Sequence, residues 1–124
     1  MSEIPAQRPV VLIVDDDEAV RNSLTFSLQA EGFQVQSYSD PHDLLKEMPK
    51  LPPANCLVIN YQMPTISGLE LIVRLRAAGV SLPAFLVSGH MSESMRQRAS
   101  EVGVTLVEKP FSDRLMASIR KVLT

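Results

Sequence analysis

Three short apolar runs constrain this chain more than anything else in it: PVVLIV at residues 9–14, CLVI at residues 56–59 and PAFLV at residues 83–87. Each is too short for a helix and lacks the alternation of a half-exposed strand, which is the pattern of strands covered on both faces. Each is followed by a stretch with helical spacing. Val20, Leu24 and Leu28 recur every four residues until Gly32; Leu69, Ile72, Val73 and Leu75 predict an inward face over residues 68–78, ended by Gly79. The helix after the last of these runs, residues 92–101, carries only a modest stripe of Met91, Met95, Ala99 and Val102. It is expected to be loosely held and available to a partner or to conformational change.

Two weaker strand signals complete the alternation. FQVQSY at residues 33–38 reads as an edge strand, and Ser39, Asp40 and Pro41 then supply a cap and an N-terminal proline for a helix over Leu44, Leu45 and Met48. Pro49, Pro52 and Pro53 make residues 49–55 a loop. Gly103 precedes a fifth strand at residues 104–107, and Ser112 can cap a last helix bearing Leu115, Ile119, Val122 and Leu123. Strands alternating with helices through short loops predict a three-layer α/β fold: a (βα)5 flavodoxin-like sandwich around a parallel five-stranded sheet, strand order 2-1-3-4-5, with right-handed crossovers.

At 124 residues the chain suits one domain, expected over residues 9–124 behind an N-terminal tail of residues 1–8. Twelve Lys and Arg against fourteen Asp and Glu give a net charge of -2, which offers no electrostatic basis for direct nucleic-acid binding. The single cysteine, Cys56, lies in an apolar run, so a buried thiol is expected rather than a structural disulfide. No apolar segment reaches the roughly 20 residues of a membrane span, and MSEIPAQRP has no signal-peptide core, so the sequence reads as cytoplasmic with no membrane role.

The chemistry concentrates at the carboxyl ends of the strands. Asp15, Asp16, Asp17 and Glu18 follow the first, Asn60 closes the third, and Ser88-Gly89-His90 follows the fourth. In the predicted order the ends of strands one and three meet at a topological switch point, which brings Asp15 and Asp16 to Asn60. Asp17 is the expected helix cap of the acidic run. An asparagine at such a point donates and accepts hydrogen bonds but has no carboxylate charge.

The segments VDDDEAVRNSL, NYQMPTISGLEL, LVSGH and VEKPF together resemble the receiver domains of bacterial two-component response regulators, most closely those that precede a helix-turn-helix output domain. The resemblance covers nearly the whole chain after residue 8. It implies that Asp15, Asp16 and the backbone carbonyl of Gln62 match the family's Mg²⁺ ligands, and that Asn60 stands at the position of the phosphorylated aspartate. Ser88 matches the hydroxyl residue that contacts the phosphoryl group, and Lys109, followed by Pro110, the lysine that pairs with the aspartate. Pro64 and Gly68 shape the loop after the phosphoacceptor position.

Two departures from the family pattern set the functional expectation. Asn60 cannot form an aspartyl phosphate, since the carboxylate oxygen that attacks the phosphoryl donor is absent. Leu106 stands where the family has its switch aromatic, three residues before Lys109. Asp15, Asp16 and Lys109 sum to a formal charge of -1, against -2 for a pocket with a third carboxylate, so Mg²⁺ binding is expected to be weak or absent and no cofactor to be required. Without metal, Lys109 is expected to lie against Asp15 or Asp16 and to donate to the Asn60 side-chain oxygen.

The resemblance therefore implies a pseudo-receiver, not an enzyme, that acts by association with a histidine kinase or another response regulator. It could also form a homodimer through helix four, strand five and helix five. The alternatives are an ordinary Mg²⁺-dependent phosphoacceptor carrying an Asp-to-Asn change, or the receiver part of a transcriptional regulator. His42 and His90 read as solvated residues. Tyr61 reads as an exposed aromatic at the pocket rim, and Met63, Met91 and Met95 as an adaptable apolar patch, with ordinary core packing expected for at least one of the three.

Overall fold

Alternation of buried side chains along the strands divides the molecule into two cores that share one sheet. The computed structural model describes residues 8–48, 50–51, 53–109 and 113–123. The elements follow in strict alternation: β1 (Val10–Val14), α1 (Glu18–Ala30), β2 (Gln34–Tyr38), α2 (Pro41–Leu45), β3 (Cys56–Asn60), α3 (Gly68–Ala77), β4 (Ala84–Ser88), α4 (Glu93–Val102), β5 (Thr105–Glu108) and α5 (Asp113–Leu123). All four strand pairings are parallel and the order is β2-β1-β3-β4-β5, as the sequence predicts.

Leu12, Val14, Leu57, Ile59 and Leu86 face one side, where they meet Leu44 of α2, Leu69 and Ile72 of α3 and Met95 of α4. Val11, Ile13, Val58, Phe85 and Val87 face the other, against Leu24 and Leu28 of α1 and Leu115 and Ile119 of α5. Both faces of β3 and β4 are covered, so all ten of their residues are buried and the runs read as uniformly apolar. Edge strand β2 keeps Gln34, Gln36 and Ser37 exposed.

The helices begin where side chains satisfy their free amides. Asp17 caps α1 by accepting from the amides of Ala19 and Val20, and Asp40, with Pro41 behind it, caps α2 by accepting from that of His42. Ser67 and Ser92 do the same for α3 and α4.

Several expectations need correction. Helix α2 is one short turn-and-a-half ending at Leu45, with Met48 in the turn beyond, half-buried against the core. Val73 is 45% exposed, while Leu71 is fully buried: α3 has more apolar residues than one face can hold, and the inward face is set by packing on β3 and β4. Val20 is only half-buried and Val122 is exposed. Tyr61 is buried in the core instead of covering the pocket; Met95 is a core residue, as expected for at least one of the three methionines, and Met63 packs partly on that core, so the three form no common exposed patch. Ser88 is the last residue of β4 instead of following the strand. Of the expected tail only Arg8 is described, and Pro110, Phe111 and the expected cap Ser112 lie outside the described residues.

Candidate functional site

The pairing of Val14 with Ile59 across β1 and β3 brings Asp15 level with Asn60, and the pairing of Asn60 with Val87 places β4 on the other side. The amide of Tyr61 continues the ladder to the Val87 carbonyl at 2.8 Å. One strand further on, the Lys109 amide donates to the Ser88 carbonyl at 2.8 Å. Sheet register alone thus gathers Asp15, Asn60, Ser88 and Lys109 at one edge.

Asp15 is buried, and a backbone amide and an ammonium group hold its carboxylate. Its Oδ1 accepts from the Asp17 amide at 2.9 Å, and its Oδ2 lies 3.6 Å from the Lys109 Nζ. Burial pushes the Asp15 carboxyl above its ordinary range; the Asp17 amide and the Lys109 ammonium pull it back, while Asp16 and Asp17 add repulsion. Lys109 therefore lies against Asp15, one of the two partners expected for it.

The Asn60 side chain is oriented by what surrounds it. Its Nδ2 donates to the Gln62 carbonyl at 2.6 Å and to Asp16 Oδ1 at 3.3 Å. Both of these are acceptors only, so nitrogen, not oxygen, must face them. Both of these Asn60 bonds run through its nitrogen. Ser88, fully buried, donates from Oγ to the His90 carbonyl at 2.5 Å and accepts from the His90 amide at 3.2 Å, so its hydroxyl closes its own turn. Leu106 is half-buried on β5 and packs against the core beneath α4.

One residue of the site was not read from the sequence, and the role of another, Gly68, is more specific than its resemblance-based place in the loop. Arg21, one turn into α1, donates from Nη1 to the Asp15 carbonyl at 2.7 Å, adding a cation to the rim. Its position just inside the helix that follows the acidic run was the available signal. Gly68 packs so closely that a Cβ there would meet the Asn60 carbonyl oxygen at 2.2 Å, and its amide donates to the Tyr61 carbonyl at 2.7 Å. His90 is exposed, and His42 lies 3.2 Å from Asp40, far from the pocket in sequence and on α2.

Asp15, Asp16 and the Gln62 carbonyl are hard oxygen donors of the kind Mg²⁺ prefers. Each already has a partner within the chain. Among the described residues there is no grouping of three or more His, Cys, Asp or Glu side chains fit to hold a metal, and no buried side-chain nitrogen or oxygen without a hydrogen-bond partner. Nor is any helix of the described residues long and apolar enough to cross a membrane.

Comparison with known proteins matches residues 11–120 to the family model described as the response regulator receiver domain. The transcriptional regulatory protein FixJ of Bradyrhizobium diazoefficiens is 35% identical over 115 residues, spanning 91% of this chain and 56% of that protein. The chain thus covers about half the length of the curated relatives it matches. Full-length FixJ from B. japonicum superposes with a TM-score of 0.84 at 32% identity, over 95% of this chain and 59% of that one. A CheY-like receiver domain protein from Methanospirillum hungatei shares the fold, with a TM-score of 0.85 at 24% identity over 94% of each chain.

Proposed function

The chain belongs to the response regulator receiver domain family, the signalling module of two-component phosphorelay systems and not itself an enzyme, and from that premise we propose that it is a pseudo-receiver. Over residues 9–124 it forms one domain that accepts no phosphoryl group and signals through protein-protein association. One observation carries the reading: the residue at the carboxyl end of β3, between Asp16 and the Gln62 carbonyl, is an amide. A carboxamide oxygen does not attack a phosphoryl donor as a carboxylate does, however well Lys109 and Ser88 are placed to assist. Leu106 supports the reading, because it offers no ring or hydroxyl to follow a movement of Ser88.

The surface proposed for association is formed by α4, β5 and α5. There a cavity of about 200 Å³ is lined by Met91, Arg96, Leu106, Glu108, Arg114 and Ser118, mixing apolar and charged groups as recognition surfaces do. A histidine kinase, another response regulator or a second copy of this chain is the partner class. The test is labelling from acetyl phosphate with Mg²⁺, combined with light scattering and pull-down against the kinase encoded nearest the gene. Wild type should stay unlabelled and associate equally with or without the phosphoryl donor. A stable phosphoryl group on wild type, or association seen only with a labelled Asn60→Asp variant, would overturn the proposal.

A second reading is favoured by coverage. The matched relatives named as transcriptional regulatory proteins are about twice as long as the matched region. On this reading the domain is the receiver part of a longer regulator, and any DNA contact belongs to the other part. Retention of operator DNA by residues 1–124 alone would exclude that division of labour.

A further inference from the structure

We propose that the Asn60 carboxamide nitrogen is this pocket's internal substitute for a divalent cation, tying the β1–α1 loop to the β3–α3 loop and leaving Mg²⁺ no place between them. The proposal deepens the pseudo-receiver reading and rests on it. A cation in a pocket of this family resemblance would draw together oxygens from the acidic loop and the loop after β3. Here one atom, Asn60 Nδ2, already spans both, at 2.6 Å from the Gln62 carbonyl and 3.3 Å from Asp16 Oδ1. Mg²⁺ would need to sit about 2.0–2.1 Å from each oxygen it binds. The amide nitrogen stands where a third ligand oxygen would, and its protons are directed at the two oxygens that a cation would bridge.

The remaining donor is no freer. The Asp15 carboxylate is shared between the Asp17 amide at 2.9 Å and the Lys109 ammonium at 3.6 Å. Every charge a cation would neutralise thus has a donor from within the chain, and no buried side-chain oxygen among the described residues is left orphaned to recruit one. With aspartate at position 60, an oxygen would replace Nδ2 and face two other oxygens, a repulsion that only a cation or a proton relieves. The amide removes the repulsion and supplies the crosslink in one change of atom.

The test uses the purified chain and MgCl₂ as the probe, read by thermal unfolding and by amide hydrogen exchange. The wild-type midpoint should not move between EDTA and millimolar MgCl₂. Asn60→Asp should unfold below wild type in EDTA and rise saturably with Mg²⁺. Asn60→Ala, which cuts the bridge without adding charge, should speed exchange of the amides of residues 62–67 about tenfold, with no recovery in Mg²⁺. A saturable Mg²⁺ shift of the wild-type midpoint would overturn the proposal, as would unchanged exchange in Asn60→Ala. If that variant does not fold, an Asn60→Asp midpoint in EDTA equal to wild type overturns it instead. None of these readouts involves phosphoryl transfer, so a labelled wild-type chain would sink the pseudo-receiver reading through a separate measurement.

Discussion

Gly68 stands at the first position of α3 with no room for a methyl group: an added Cβ would lie 2.2 Å from the Asn60 carbonyl oxygen and 2.9 Å from side-chain carbons of Ile59 and Leu86. Backbone cannot yield as a flexible side chain can. Gly68→Ala should therefore cost about 3 kcal/mol, as overpacking at a rigid contact does, measured by urea unfolding. Cys56 gives a second residue-scale prediction. Burial pushes its thiol up to about 12. The native chain should resist thiol reagents that modify the urea-unfolded chain. Because the folded state holds the proton more tightly, this contribution is fully present below the unfolded pKa and is lost as pH rises toward the folded one. Relative to Cys56→Val, wild type should lose about 1.4 kcal/mol of stability per pH unit once the unfolded thiol ionises.

Among the elements, α1 shows how a cap and a pocket share residues. Asp17 accepts from the amides of Ala19 and Val20 through its side chain, and its own amide donates to Asp15 Oδ1. Asp17→Ala should destabilise the fold by about 1 kcal/mol, the ordinary worth of such a cap, seen as a lower thermal midpoint, while the backbone bond to Asp15 persists. The strands were legible in the sequence because their environment is two-sided: where both faces are covered, as in β3 and β4, composition alone marks the element. Asp17 was legible as a cap for the same reason of local chemistry. The inward face of α3 was not, since Leu69, Leu71, Ile72, Val73 and Leu75 wrap beyond one face and only contact with the sheet decides that Val73 turns out. Tyr61 was misread because its burial depends on Gly68 bringing α3 against the end of β3, a contact with no signature within either segment. The gathering of Asp15, Asp16, Asn60 and Lys109 was foreseeable from strand order, but which atom of Asn60 meets which partner needed coordinates.

For the whole molecule, one sheet is the common wall of two cores, so neither core can dissolve alone. Leu86 is fully buried in one of them, on a central strand. Leu86→Ala should cost about 2–5 kcal/mol, lowering the urea midpoint with an unchanged slope. Far- and near-ultraviolet circular dichroism should lose signal together, as expected of a single cooperative unit.

The burial of Tyr61 also gives the molecule a built-in light source. The chain has two tyrosines and no tryptophan, and they sit in different surroundings: Tyr38 donates to a Glu47 carboxylate near the surface, while Tyr61 is enclosed in the core directly after Asn60. A carboxylate accepting from the phenol favours quenching of the first, which leaves Tyr61 as the brighter emitter. Its backbone is held on one side by Val87 and on the other by Gly68, so disturbance of the Asn60 bridge reaches its ring within one residue. Unlabelled protein can therefore report on its own pocket by ultraviolet emission.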